Sequence, residues 1–362
     1  MSGTALASLA DMLAPALGAM LAVGVALAID RRLGEPPNWA HPVVAMGRYL
    51  GRLGPALLRL SAAQALVGGT LAWCLGALLV LALALAADMV IDVVAWCLRR
   101  EVGALMASAG MLNPPSSSLT GMAQALAVSP LEAVCRGCLL GIVLKPMLAW
   151  RMLHDEVAGV EQALAQSLEA GRARLQRLVS RDVAALDEAA VRESAIESLA
   201  ENLNDSVVAP LFWFAVAGLP GAALYRFANT ADAMWGYRGA YEWAGKWAAR
   251  ADDALSWLPA RLTAFLLWAV ARRWPDVRLM RAQAALTPSP NGGWPMGSMA
   301  CLLGVCLGKP GVYALNAQAG SPQARHTAQA LRWAGRVVQA AAWSSVAGMA
   351  LWAWLMAGGV KA

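Results

Sequence analysis

Four carboxylates, Glu193, Glu197, Glu201 and Asp205, recur at four-residue spacing just before the apolar stretch Val207 to Tyr225. On a helix they share one face, where each like-charged pair costs about 0.2–0.5 kcal/mol. In a chain of which only 14% is charged, such a ladder calls for a compensating cation, and a divalent ion or one carrying phosphates is the most economical. Beyond the apolar stretch, Asn229-Thr230-Ala231-Asp232 repeats a theme already present in Asn202-Leu203-Asn204-Asp205. Residues three apart share a helix face, so each Asn-x-x-Asp offers an amide oxygen and a carboxylate to a hard cation. One such unit alone is more often a helix cap. Two of them flanking one apolar stretch, behind Glu197 and Glu201, single out Glu197, Glu201, Asp205 and Asp232 as metal-binding candidates.

The elements that must position these residues belong to a membrane. Apolar residues make up 59% of the 362 and the mean hydropathy is +0.51. Leu66 to Ala87 and Val338 to Val360 carry no charge and exceed the roughly 20 residues that cross the hydrocarbon layer. Met12 to Ile29 is also uncharged, and its flanks, Asp11 and Asp30-Arg31-Arg32, are not those of a secretory signal, so it reads as a retained first helix. Arg31, Arg32, Arg48, Arg52 and Arg59 against Glu35 place the following loop in the cytoplasm and the N-terminus outside. The net charge of +6 is spread over several loops without a basic stripe, which argues against nucleic acid as a partner.

No repeat and no alternating strand pattern occurs, so the expected fold is all-α, with about four to five transmembrane helices in one integral membrane domain over residues 1–362. Residues 150–206 are polar, and Val157, Val160, Leu164, Leu168, Leu175 and Leu178 recur at helical intervals, as in a cytoplasmic helical segment. Asn113 to Ser118, with two prolines and a serine run, reads as a loop. Val207 to Tyr225 is divided by Gly218-Leu219-Pro220-Gly221 into halves of about ten residues, each too short to span. One kinked transmembrane helix and a re-entrant hairpin are both consistent with it; the hairpin keeps the two Asn-x-x-Asp units on one side. The six cysteines, including the lone Cys135-x-x-Cys138 pair, read as buried small hydrophobes rather than as a metal or disulfide framework. Trp235, Tyr237, Tyr241, Trp243 and Trp247 suggest an interfacial aromatic belt.

Two turn-rich loops have the look of sites: Asp30 to Pro37 followed by His41-Pro42-Val43, and Ser289-Pro290-Asn291-Gly292-Gly293-Trp294-Pro295. With Gly47-Arg48, Arg181-Asp182, Glu197, Glu201-Asn202, Asp205, Asn229-Thr230, Asp232, Gly236-Tyr237, Asp252-Asp253 and Pro259-Ala260-Arg261, these motifs run in order from Asp30 to Tyr313. In that order the chain resembles the CbiB/CobD cobalamin-biosynthesis proteins. Departures from the family pattern, at Glu35, Ser180, Ser206 and Ala233, remove none of its carboxylates.

The resemblance implies an adenosylcobinamide-phosphate synthase at the cytoplasmic membrane of a bacterium, its active site facing the cytoplasm. Such an enzyme joins adenosylcobyric acid to (R)-1-amino-2-propanol O-phosphate, or to aminopropanol itself, through an amide bond, with ATP as co-substrate and Mg²⁺ as cofactor. Glu197, Glu201, Asp205 and Asp232 would hold the metal; His41, Asp253 and Arg181 are the expected catalytic residues, and Arg238, Arg261, Asn291, Asn229 and Arg48 the expected substrate-binding ones. The lipid bilayer and other membrane enzymes of the cobalamin pathway are the expected partners. No P-loop occurs, so ATP would need another kind of site. Two other readings stay open: an intramembrane Mg²⁺-diphosphate-dependent transferase, and a non-catalytic AmpE-like sensor or transporter. The side on which the Asn291 loop lies also stays open, because it depends on whether Leu255 to Ala271 crosses the membrane.

Overall fold

A computed structural model describes residues 3–108, 118–237 and 239–356. The architecture is all-α: α1 (Gly3–Leu33), α2 (Pro42–Leu57), α3 (Ala62–Ser108), α4 (Ser118–Leu144), α5 (Trp150–Leu164), α6 (Leu168–Leu175), α7 (Glu188–Leu203), α8 (Ala209–Trp235), α9 (Lys246–Ala271), α10 (Val277–Ala284), α11 (Gly293–Leu303) and α12 (Ala324–Met356). A hairpin of two three-residue strands, β1 (Leu307–Lys309) and β2 (Tyr313–Leu315), interrupts the helices. The Asn113 to Ser118 turn falls largely outside the described residues.

Helices α1 and α4 run side by side in the same direction. Gly137 and Gly141 on α4 face Gly18 and Ala22 on α1, and a Cβ at either glycine would come within 2.6 Å of a carbonyl on the other helix. Small residues four apart therefore let the two backbones touch, the usual device where lipid supplies no hydrophobic drive for association. Helix α3 continues well past the uncharged Leu66 to Ala87. Its Asp92 pairs with Arg136 of α4 at 2.6 Å, and its Arg99 with Glu132 of α4 at 2.7 Å. Outward-facing Val67, Leu71, Leu75, Leu78 and Leu83 leave an exposed apolar face along the same helix, as lipid contact requires.

Helices α5 to α7 form the polar segment. The helical spacing read in the sequence is the packed face of α5, with Leu153, Val157, Val160 and Leu164 buried, each contributing about 1.5–3 kcal/mol. Ser167 and Asp187 cap α6 and α7 by accepting the N–H groups of Ala170 and Ala190. All six cysteines are free thiols, as expected, but they are less buried than expected: five are half-buried and Cys97 is exposed. Five of them lie on helices, where a small sulfur side chain can sit at the edge of the packed face, and Cys306 lies between α11 and β1.

Among the described residues, four segments are long and apolar enough to cross a membrane: Ala62–Met106, Leu131–Leu164, Glu188–Trp235 and Lys246–Ala271. Helices α1 and α12 carry the uncharged runs from Met12 and from Val338, the latter described as far as Met356. Glu188–Trp235 does not run straight. A helix from Asp205 to Tyr225 would separate them by about 30 Å, yet the Tyr225 hydroxyl donates to Asp205 Oδ1 at 3.3 Å and Arg226 donates to the Asp205 carbonyl at 3.1 Å. The chain reverses at Ala217 (φ −139°, ψ 23°) and Gly218 (φ 63°, ψ −155°), so α8 is a helical hairpin.

Its sequence explains the reversal. Gly218 holds a backbone conformation essentially reserved for glycine, Pro220 starts the returning limb, and a Cβ on Gly221 would lie 2.4 Å from the Trp213 carbonyl. Gly218→Ala is therefore expected to destabilise the protein by about 1–3 kcal/mol, read as a lowered unfolding midpoint in detergent; an unchanged midpoint would contradict a tight reversal there.

Candidate active site

The returning limb of α8 brings the two Asn-x-x-Asp units together. Arg181, Glu197, Glu201, Asn202, Asp205, Asn229 and Asp232 line one cavity of about 490 Å³, with Ser194, Tyr237, Lys309 and Tyr313 completing its wall. Between α7 and α8 the chain makes one wide helical turn, Asn204–Val208, with the hydrogen-bond pattern of a π-helix. Such a turn re-aims side chains and frees carbonyls: the Ser206 carbonyl accepts the Ala149 N–H at 3.1 Å, fixing the start of α5 to the acidic helix.

Asp205 is the best held of the acids. Its Oδ1 accepts from Asn204 Nδ2 at 2.8 Å and from the Tyr225 hydroxyl, while Thr263 of α9 donates to Asn204 Oδ1 at 3.0 Å. Asn229 donates through Nδ2 to Asp252 of α9 at 3.4 Å, bringing a further carboxylate to the edge of the group. Glu197 is buried and pairs with Arg181, whose Nη2 lies 3.2 Å from Glu197 Oε2 and donates to Ser194 Oγ at 2.6 Å. Its other oxygen, Oε1, is buried without a hydrogen-bond partner among the described residues.

Among the described residues, Glu201, Asp205, Asp232, Asp252 and Asp253 form no salt bridge, in contrast to Glu197. Arg226 donates to the Asp205 carbonyl and Lys309 stands on the cavity wall, but neither forms an ion pair with these acids among the described residues, and so many carboxylates around one cavity favour a further cation or a bound proton. Among the described residues, no three His, Cys, Asp or Glu side chains are already placed to ligate one metal ion. The donor set nevertheless suits Mg²⁺, which is ordinarily held by one or two carboxylates together with water and substrate phosphates rather than by a protein cage.

Cations approach the acids from the β-hairpin and from the loop before α7. Lys309 ends β1 and is exposed, and Tyr313 of β2 faces Glu197. Burial, reinforced by the Glu197 carboxylate, raises the Tyr313 phenol above its usual range, so it stays a hydrogen-bond donor at any ordinary pH. Glu193 turns from the cavity to β1, its Oε2 3.5 Å from where a Cβ on Gly308 would stand.

The remaining candidates lie elsewhere. His41 caps α2: Nδ1 accepts the Val43 N–H at 3.2 Å and Nε2 meets Glu35 Oε2 at 3.2 Å, so both ring nitrogens are engaged. Arg48 is exposed on α2, away from the cavity wall. Arg261 donates to Asn291 Oδ1 at 3.0 Å and to the Trp257 and Pro290 carbonyls, and it stacks between Trp257 and Trp294 at 4.3 and 5.0 Å. Asn291 in turn donates to the Asp253 carbonyl at 2.8 Å. These three residues fasten the Asn291 loop to α9 beside the acids, and a Cβ on Gly292 would lie 3.3 Å from Glu201 Oε1. The loop is therefore on the side of the acidic ladder. Arg238 lies outside the described residues.

Lys309, Arg226 and Asp252 were not singled out from the sequence, though Asp252 sits in a paired-acid motif there; nothing local marks the other two. A further buried group adjoins the site, in which Lys145 at the end of α4 meets Asp30 at 3.3 Å and Glu35 at 2.7 Å.

The family model described as CobD/Cbib protein matches residues 23–340. A protein called cobalamin biosynthesis protein CobD from Stutzerimonas stutzeri is 39% identical over 331 residues, covering 88% of this chain and 95% of that one. A like-named protein from Chromobacterium violaceum is 39% identical over 81% of this chain and 82% of its own, and a probable CobD from Thermococcus kodakarensis is 38% identical over 80% and 82%. No solved structure matches the chain. With a family model spanning most of its length and full-length relatives at this identity, the chain belongs to the CobD/CbiB family of cobalamin biosynthesis proteins.

Proposed function

We propose that the chain is the enzyme that forms the amide bond between adenosylcobyric acid and (R)-1-amino-2-propanol O-phosphate, using ATP and Mg²⁺ at the cytoplasmic face of the bacterial inner membrane. The observation that carries this reading is the cavity in which Glu201, Asp205, Asn229 and Asp232 meet, the three acids without a salt bridge among the described residues, while Arg181 and Lys309 stand on its wall. Acids on one side and bases on the other suit a phosphate-bearing substrate pair.

A carboxylic acid does not condense with an amine unaided. An oxygen of the substrate carboxylate attacks the terminal phosphorus of ATP and ADP leaves; the amine nitrogen then attacks the acyl carbon, inorganic phosphate leaves and the nitrogen loses a proton. Mg²⁺ held through one or two of Glu201, Asp205 and Asp232, with water and substrate phosphates, would neutralise phosphate charge during the transfer. Arg181, anchored by Ser194 and Glu197, and Lys309 orient anionic oxygens by charge-assisted hydrogen bonds. His41 has both nitrogens engaged and Asp253 holds the Asn291 loop, so the proton of the attacking ammonium passes more directly to a carboxylate on the cavity wall.

A corrinoid-pathway mutant that grows on cobinamide but not on cobyric acid tests the assignment. Expression of this chain is expected to restore growth on cobyric acid; growth on cobinamide alone, with no rescue despite membrane expression, would refute it.

A further inference from the structure

Four arginines, Arg31, Arg151, Arg332 and Arg336, line a second, open cavity of about 530 Å³ between the end of α1, the start of α5 and the first half of α12. It shares no residue with the acidic cavity. Arg31, Arg332 and Arg336 are exposed, and among the described residues none of the three forms a salt bridge. Arg332 and Arg336 are four apart on one helix face, a mutually repulsive pair.

Arg151 is held in place rather than free. Its Nη1 donates to the Arg31 and Arg32 carbonyls at 3.3 and 2.9 Å, and its backbone N–H to Asp30 Oδ2 at 2.8 Å. The acid in the cavity, Asp155, is already shared between Arg151 at 3.4 Å and His154 at 3.1 Å. Buried Trp150 forms the floor, packed edge-on to His154 with ring centroids 5.5 Å apart. Guanidinium groups collected around a cavity, with one acid that is already paired, have the chemistry of a phosphate site.

The level of the cavity points to the source of the phosphate. Arg31 stands two residues after the uncharged run Met12 to Ile29, beyond Asp30, and Arg336 stands two residues before the uncharged run that begins at Val338. Two apolar helices thus leave the hydrocarbon layer at this cavity, where lipid headgroups lie.

We propose that this cavity binds a phosphate anion, presented by the headgroup of an anionic phospholipid at the membrane surface. The full chain and the R332Q/R336Q variant are compared in phosphatidylcholine nanodiscs, in the same nanodiscs containing cardiolipin, and in phosphatidylcholine nanodiscs with inorganic pyrophosphate. Unfolding midpoint and lipid retained in native mass spectrometry are read. Cardiolipin is expected to raise the midpoint of the unaltered chain and to be retained by it, and the variant is expected to bind it about thirty-fold more weakly. Both proteins should unfold alike in pure phosphatidylcholine, since the altered side chains are exposed. A rise with pyrophosphate alone, lost in the variant, would support the phosphate site and assign it to a soluble ligand. No response to either probe, or equal responses from both proteins, would overturn it.

Discussion

Lys145→Met is expected to lower the unfolding free energy by about 3–5 kcal/mol, because it leaves two carboxylates in a buried setting without their cation. The Lys145 side chain is 3% exposed and that of Asp30 0%. Its ammonium reaches Asp30 at 3.3 Å, Glu35 at 2.7 Å and the Leu148 carbonyl at 3.3 Å, joining the ends of α1 and α4 to the loop that leads into α2. Methionine keeps the volume and removes the charge, so the loss reports uncompensated acid rather than a cavity. Adding Asp30→Asn to Lys145→Met should recover part of the loss, since it deletes one stranded charge. An additive or larger loss in the double variant, measured by denaturant unfolding in micelles, would contradict the ion-pair account.

The same cluster has a pH signature. Burial alone would raise the Glu35 carboxyl, but the hydrogen bonds from His41 and then Lys145, with the Lys145 charge, outweigh it and hold the group below its ordinary value. A lowered acid stabilises the fold above its unfolded value and loses that contribution as pH falls through the folded one. Stability should therefore drop on acidification below the ordinary glutamate range, and Glu35→Gln should flatten that part of the profile.

Asp205→Asn is expected to reduce synthase turnover by at least about 100-fold while leaving the fold intact. Asparagine still accepts from Asn204 and Tyr225 through its amide oxygen, so the hydrogen bonds at 2.8 and 3.3 Å can persist while the negative charge is lost. Loss of turnover with an unchanged unfolding midpoint would report the charge. If Mg²⁺ is shared with substrate phosphates, the Mg²⁺ concentration giving half-maximal turnover should rise in Glu201→Gln, whose carboxylate opens onto the same cavity.

Much of the architecture was legible because it follows from local chemistry. Helical periodicity in α5, the acidic spacing of α7 and the uncharged runs in α1, α3 and α12 each involve residues within a few turns of one another. Gly218-Leu219-Pro220-Gly221 marked a break, but a kink and a reversal use the same residues; what separates them is Tyr225 and Arg226 meeting Asp205. The side of the Asn291 loop was hidden for the same reason, since it is set by Arg261 and Asp253. Lys145 and Lys309 were invisible in the sequence because a lone lysine near an apolar run has no pattern until the fold brings distant carboxylates to it. The partners of His41 were hidden too: a rare histidine in a turn-rich loop has the look of catalysis, and only the fold shows it capping a helix and meeting Glu35.

The most direct measurement is product formation by the purified chain in nanodiscs, supplied with adenosylcobyric acid, (R)-1-amino-2-propanol O-phosphate, ATP and Mg²⁺, with each component omitted in turn. The account predicts adenosylcobinamide phosphate and ADP in equal amounts only when all four are present, and neither above background from Asp205→Asn. Amide product without ATP or Mg²⁺, or undiminished product from Asp205→Asn, would contradict it.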